Sequence, residues 1–215
     1  MRHVLTTALV TAAFAMPLAA AAQERYPALN PDQLSPAQKA YLEDLQKPPR
    51  SNTTALKTPP FKVYMRSPEL APKLEAVSDY VRWGSGLEPR LTELAIMITA
   101  RQWSSQWIWR GHYRAAVRGG LDPSVGADIA AGKRPEKLKA DETILYNYAQ
   151  EMYRDKAVSD ATYAAAVKQF GEKGLIDLVV TMGYYDTVAM TLITAKAEAP
   201  KEDDVPQLAA LKPSP

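Results

Sequence analysis

The chain has 215 residues, of which 47% are hydrophobic and 23% charged, and its formal net charge is +2. So small a net charge gives no attraction to nucleic acid or to a membrane surface, and we expect neither as a partner. The chain contains no cysteine and two histidines, His3 and His112. Disulfides, thiol nucleophiles and thiolate metal sites are therefore excluded, and we expect neither a metal site nor a cofactor.

The first 22 residues have the order of a secretory signal. Met1-Arg2-His3 is basic, residues 4–15 are mainly apolar, and a run of four alanines ends at Ala22. The apolar stretch is too short to span a bilayer, and small residues suit a signal peptidase. We therefore expect cleavage near Ala22 and export to the periplasm or the medium, with an N-terminal membrane anchor as the alternative. No later stretch is expected to span a membrane.

Residues 23–67 form a proline-rich arm with one predicted short helix. Ser35 followed by Pro36 is typical of an N-cap and the first helical position, and the helix should end near Gln46. We expect the arm to wrap around the domain or a neighbouring subunit, with a flexible linker as the alternative.

Residues 68–196 are predicted to form a compact multi-helix domain. Apolar residues recur at helical spacing, and Gly119-Gly120 is a typical helix end. No stretch alternates with the period of two that a strand requires, so the fold class is all-α. The last helix, residues 176–195, is apolar around most of its circumference, which predicts self-association. Residues 197–215 are expected to be a flexible C-terminal tail.

Three segments carry a family resemblance. They are Leu-Glu-Pro-Arg-Leu-Thr-Glu-Leu-Ala-Ile at 87–96, Ser-Gln-Trp-Ile-Trp-Arg-Gly-His at 105–112, and Met-Gly-Tyr-Tyr-Asp-Thr-Val-Ala-Met at 182–190. They resemble the carboxymuconolactone decarboxylase family, which includes the alkylhydroperoxidase D-type (AhpD-like) proteins. The resemblance covers roughly residues 68 to 195. It implies an AhpD-like helical fold, a homo-oligomer such as a trimer or hexamer, and a small-molecule carboxylate or lactone as substrate.

The peroxidase branch of that family uses a glutamate, two cysteines and a histidine. On this sequence these positions fall on Glu93, Ser105, Ile108 and His112. The sequence therefore has the glutamate and the histidine, the two relay residues of that branch, and lacks both redox cysteines. Because a hydroxyl and a hydrocarbon side chain form neither a sulfenate nor a disulfide, peroxide reduction by that route is excluded.

Glu93 and His112 are the candidate catalytic residues. A carboxylate that meets an imidazole across two helices suits general acid/base chemistry. Two alternatives remain open from the sequence. His112 could be a core histidine with satisfied hydrogen bonds, and Glu93 could pair with Arg90 or Arg101 purely as scaffold.

Four further residues are candidate substrate contacts. Arg101 or Arg110 could hold a substrate carboxylate, and Ser105 and Trp109 lie on the same segment. Ser105 is also typical of a helix start, and Trp109 of a core or an interface.

Together these features predict a cofactor-independent lyase acting on a small carboxylated lactone or oxo-acid. A hydrolase or an isomerase could use the same pair. A non-catalytic periplasmic binding or assembly protein on the same fold is the alternative from another class.

Overall fold

The computed structural model describes residues 25–200 and 204–210, so the predicted signal segment lies outside the described residues. Within them the protein is all-helical and has no strand, which confirms the predicted fold class. A 3-10 turn at Pro31–Gln33 comes first, and the π-helical turn Tyr80–Gly84 extends the third helix. The eight α-helices are α1 (Pro36–Leu45), α2 (Pro59–Tyr64), α3 (Ala71–Asp79), α4 (Pro89–Gln102), α5 (Gln106–Arg118), α6 (Pro123–Ala130), α7 (Ala140–Asp155) and α8 (Asp160–Ala195).

Local chemistry explains where several helices begin and end. The Ser35 hydroxyl accepts a hydrogen bond from the Gln38 amide, and the Gln38 side chain accepts one from the Ser35 amide, so α1 begins with a capping box. Proline occupies the first turn of α4 and of α6, where its missing N–H costs nothing. Gly120 follows the end of α5 with a φ of +96°, a conformation that strains other residues.

Helix α4 is the centre of the core. Every residue from Leu91 to Ala100 is buried, and the helix packs against α5, α7 and α8. Each large apolar side chain buried in this way contributes about 1.5–3 kcal/mol. Glu93 lies within this run, so the core fixes the position of a carboxylate.

Helix α8 departs from one expectation. By length and composition Asp160–Ala195 could cross a membrane, although the sequence analysis expected no such stretch after the signal. Its apolar window is 44% buried within the protein, and the core helix of a folded domain has the same composition. Gly171, with a φ of +70°, interrupts the helix, so its two parts differ in direction. Beyond this break α8 carries exposed apolar side chains, namely Ile176, Val180, Met190 and Ile193.

The arm packs on the rest of the chain. Its two helices and the start of α3 share a small apolar cluster of Tyr41, Leu45, Ala55, Tyr64, Met65 and Ala71, and α2 contacts α8. The Tyr41 hydroxyl donates to Glu75 Oε1 over 3.1 Å, and Arg50 forms ion pairs with Glu75 and Asp79. The proline-rich arm was predicted to contain one helix, and α2 is a second. Pro59 and Pro60 occupy its first turn, where proline is tolerated.

The described part of the C-terminal tail is also packed, which differs from the flexible tail expected. Val205 is 3% exposed, and the Ala209 amide donates to the Ala130 carbonyl. Arg101 and Trp109 donate to carbonyls of the same segment, those of Ala209 and Pro206. The buried Val205 side chain and these hydrogen bonds hold the segment in place, although its local sequence does not predict an ordered structure.

Candidate acid/base site

Glu93 on α4 and His112 on α5 form a close pair. His112 Nδ1 lies 2.6 Å from Glu93 Oε2, and their side chains are 13% and 11% exposed. An ionised carboxylate only accepts hydrogen bonds, so we infer that Nδ1 carries the proton and donates it. The second ring nitrogen, Nε2, has no hydrogen-bond partner among the described residues. It is therefore the nitrogen that a ligand can use.

The charges around Glu93 keep it ionised. Burial alone would raise the pKa of Glu93, but the charge and hydrogen bond of His112, together with Arg82 and Arg118, outweigh burial and hold that pKa below its ordinary value. The scaffold alternatives do not occur. Arg90 binds Asp141 and Glu142, and Arg101 donates to the Ala209 carbonyl.

Arg82 is the cation next to this pair. It sits on the π-helical turn after α3, with one terminal nitrogen 3.7 Å from Glu93 Oε1 and its guanidinium 4.5 Å from the centre of the Trp83 ring. Its Nε is buried and has no hydrogen-bond partner in the part of the chain that the structure describes. None of its N–H groups donates a hydrogen bond to another described residue. Buried donors without partners are costly, so Arg82 is suited to receive an anionic ligand.

His112, Arg82 and Trp107 line two neighbouring cavities. The outer one, of about 250 Å³, is completed by Ile108, Arg110 and Gly111. The inner cavity, of about 160 Å³, lies beneath the arm. Half of its remaining lining is aromatic, and it comes from three parts of the chain: Arg50, Pro60, Phe61 and Tyr64 of the arm, Ser78 of α3, and Tyr184, Tyr185 and Val188 of α8.

Tyr185 fixes the orientation of the histidine ring. The two rings meet edge to face at 82°, with centroids 4.8 Å apart, and Tyr184 contacts Tyr185 in the same manner. Burial, which is the largest effect, raises the pKa of Tyr185 far above its ordinary value. Tyr185 therefore stays neutral and packs against His112 without adding a charge to the site.

The structure brings together some of the predicted contacts and separates others. Arg110 lines the outer cavity, and so does Ile108. Ser105 precedes α5 as its N-cap residue and lines neither cavity. Trp109 is fully buried and donates to the Pro206 carbonyl over 2.8 Å, so its role is structural. Arg101 lines a separate cavity of about 410 Å³ beside Gly132. The structure therefore does not place Arg101, Ser105 or Trp109 at these cavities, and the prediction that they contact substrate is corrected.

Sequence reasoning missed several residues at this site. Arg82 follows an apolar helical stripe and precedes Trp83, and an arginine at such a point gives a weak signal at most. Tyr185 lies in the segment 182–190, where no local pattern indicates a contact with His112. Arg50, Phe61 and Tyr64 come from the arm, and no local pattern links them to a histidine about 50 residues later.

Comparison with known proteins supports the fold alone. No family model matches the sequence, and no curated protein is similar enough to count as a relative. One similar solved structure is a protein of unknown function from Agrobacterium tumefaciens, provisionally described as the antioxidant defence protein AhpD. It has a TM-score of 0.57 and 17% identity, and the match covers 65% of this chain and 96% of that one. The fold is therefore AhpD-like and all-helical, and the chain contains no cysteine. Among the described residues no group of three metal-ligating side chains is present.

Proposed function

We propose that this protein is a cofactor-independent acid/base enzyme acting on a small carboxylate. The observation that carries the proposal is the Glu93–His112 hydrogen bond, which leaves Nε2 available in a residue that lines two cavities. Glu93 is a positioning residue, because it holds the ring and stabilises the imidazolium. Arg82 takes the substrate-binding role that the sequence analysis gave to Arg101.

A lyase of the decarboxylase type fits this arrangement. In a 3-oxo acid or an activated lactone, the bond to the carboxylate breaks, carbon dioxide leaves, and the electron pair moves into the neighbouring carbonyl to give an enolate. His112 as imidazolium then donates its Nε2 proton to carbon, and the neutral ring regains a proton from water. Isomerisation needs the same pair to remove and return one proton. The family resemblance favours decarboxylation.

The test is turnover of a panel of carboxylated lactones and 3-oxo acids. His112→Gln removes the proposed acid/base group and should lower kcat by about 10²-fold or more, since general acid/base groups contribute about 10²–10⁴-fold. Arg101→Gln is the matched control, because Arg101 lies at another cavity, and it should keep full activity. Equal kcat in wild type and His112→Gln, with both proteins folded by circular dichroism, would contradict the proposal.

A non-catalytic binding protein is the second candidate. The specific observation in its favour is that arm residues cover the inner cavity, where Arg50 is 9% exposed and Tyr64 is 7% exposed. Such a protein would bind carboxylates by calorimetry and turn over none of the panel. In that case His112→Gln would change affinity alone.

We also propose that the protein is exported and self-associates. The basic, apolar and small-residue order of residues 1–22 supports export, and mass spectrometry of secreted protein should give a mature N-terminus near Gln23.

The exposed Ile176, Val180, Met190 and Ile193 support association through α8. Light scattering should give a multiple of the monomer mass, and Ile176→Glu should reduce it. A monomeric wild type would contradict this proposal.

A further inference from the structure

We propose that the inner cavity binds a single-ring aromatic carboxylate, with the ring against the arm and the carboxylate at Arg82. This inference rests on the site of the proposed function and goes beyond it, because it names a class of ligand for the inner cavity whether or not that ligand is a substrate. It concerns binding, so it can be tested whether or not turnover is observed.

The size of the cavity sets the first limit. At about 160 Å³ it is close to the roughly 150 Å³ of an engineered apolar cavity that binds benzene in another protein. One six-membered ring matches such a space better than a fused two-ring system does. The ligand is therefore smaller than most cofactors.

The walls of the cavity favour a flat ring. Five aromatic side chains line it: Phe61, Tyr64, Trp107, Tyr184 and Tyr185. Aromatic rings prefer stacked or edge-to-face partners, and Tyr184, Tyr185 and His112 already form such a chain of edge contacts. A planar aromatic ligand can extend this chain, whereas a puckered saturated ring cannot.

The charges select where the carboxylate lies. Arg50 also lines the cavity, but Glu75 and Asp79 already form ion pairs with it. The carboxylate of Glu93 is bonded to His112. Among the described residues Arg82 has one ion pair, at 3.7 Å, and a buried Nε without a hydrogen-bond partner, so it is the cation with donors to offer. A carboxylate bound there would lie beside His112.

The arm supplies one side of this ring-binding wall. Phe61 and Tyr64 belong to α2, and the Arg50 guanidinium packs 5.6 Å from the centre of the Phe61 ring. Because the same Arg50 forms ion pairs with α3, the wall is anchored to the domain. The arm therefore determines which ring shapes the cavity accepts.

Calorimetric titration of the full chain tests the class of ligand. Benzoate should bind, while benzamide, its neutral isostere, and cyclohexanecarboxylate, its saturated counterpart, should each bind at least tenfold more weakly. 2-Naphthoate should not bind. Equal affinities for benzoate and cyclohexanecarboxylate would overturn the ring preference, and no binding of benzoate would overturn the proposal as a whole.

Two variants locate the ligand. Arg82→Gln should weaken benzoate binding by tenfold or more and leave benzamide binding within twofold, because only the charged ligand uses the guanidinium. Phe61→Leu, a change of similar volume in the arm, should weaken benzoate binding about fivefold without changing that of cyclohexanecarboxylate. Unchanged benzoate affinity in either variant would overturn the corresponding contact.

A measurement at His112 in the wild-type protein locates the ligand without relying on the folding of any variant. Benzoate added to wild-type protein should shift the His112 imidazole signals in a ¹H–¹⁵N spectrum, and unshifted signals during saturable binding would place the ligand elsewhere. If benzoate binds at this site and no carboxylated lactone or oxo-acid is turned over, the proposed function fails while this inference stands.

Discussion

Glu93 Oε2 and His112 Nδ1 lie 2.6 Å apart on consecutive helices, and Glu93 belongs to a run of α4, residues 91–100, in which every residue is buried. Burial alone would favour a protonated carboxyl at this position. The imidazole, with Arg82 behind it, keeps the carboxylate charged. The pair is therefore also a contributor to stability, and its contribution depends on pH.

Glu93→Gln should change how stability depends on acid. The folded-state pKa of Glu93 is below its ordinary value of 4.5, so near pH 4.5 the unfolded chain binds more protons than the folded one. The stabilisation is therefore present above about pH 4.5 and is lost as pH falls through the folded-state pKa. Urea unfolding between pH 3 and 7 should show wild type exceeding Glu93→Gln at the upper end and converging with it at the lower end. A difference that is independent of pH would contradict a lowered pKa.

Arg90→Met should destabilise the fold strongly. Arg90 donates to Glu142 Oε1 over 2.5 Å and to Asp141 Oδ2 over 2.7 Å, and Glu142 is fully buried. Removing one partner of a buried ion pair costs about 3–5 kcal/mol, because the other charge is left without compensation. Arg154→Met is the control, since the Arg154–Asp155 pair is exposed and should contribute under about 1 kcal/mol. Equal losses in denaturant unfolding would be the contrary result.

Gly126→Ala should destabilise the contact between α5 and α6. A β-carbon at Gly126 would lie 2.5 Å from the Tyr113 ring, so the ring must move, and overpacking of this kind costs about 1–3 kcal/mol. Gly111→Ala has open space and should gain up to about 1 kcal/mol from helix propensity. The two melting temperatures should move in opposite directions. Combining Gly126→Ala with Tyr113→Leu should recover most of the loss, and no recovery would show that another neighbour is responsible.

Trp109→Phe should affect stability and leave ligand binding unchanged. The indole Nε1 donates to the Pro206 carbonyl, and losing one such hydrogen bond costs about 1 kcal/mol. The side chain lines neither cavity beside His112. Denaturant unfolding and benzoate titration measure the two effects separately. A tenfold loss of benzoate affinity would instead show that Trp109 takes part in ligand binding.

The central helices could be predicted because their signals are local. Pro89 begins α4, the glycines after Arg118 end α5, and apolar spacing gives the buried faces. The pairing of Glu93 with His112 followed from their positions in the family resemblance. These features depend on residues within one helix or two consecutive ones.

The rest of the site depends on long-range packing. Arg82 reaches Glu93 from a π-helical turn, where the usual helical spacing does not hold. Phe61 and Tyr64 reach the cavity because the arm folds back onto α8. Arg101 lies away from the site because it donates a hydrogen bond to the Ala209 carbonyl of the C-terminal tail. No pattern within a single helix contains this information.

The docking of the arm by Arg50, Glu75 and Tyr41 has a thermodynamic consequence. A ligand that needs Phe61 and Tyr64 as its wall binds only when the arm is seated, so ligand affinity and arm order are linked and each must strengthen the other by the same factor. Occupancy of the cavity should accordingly slow amide exchange in α1 and α2, far along the chain from His112.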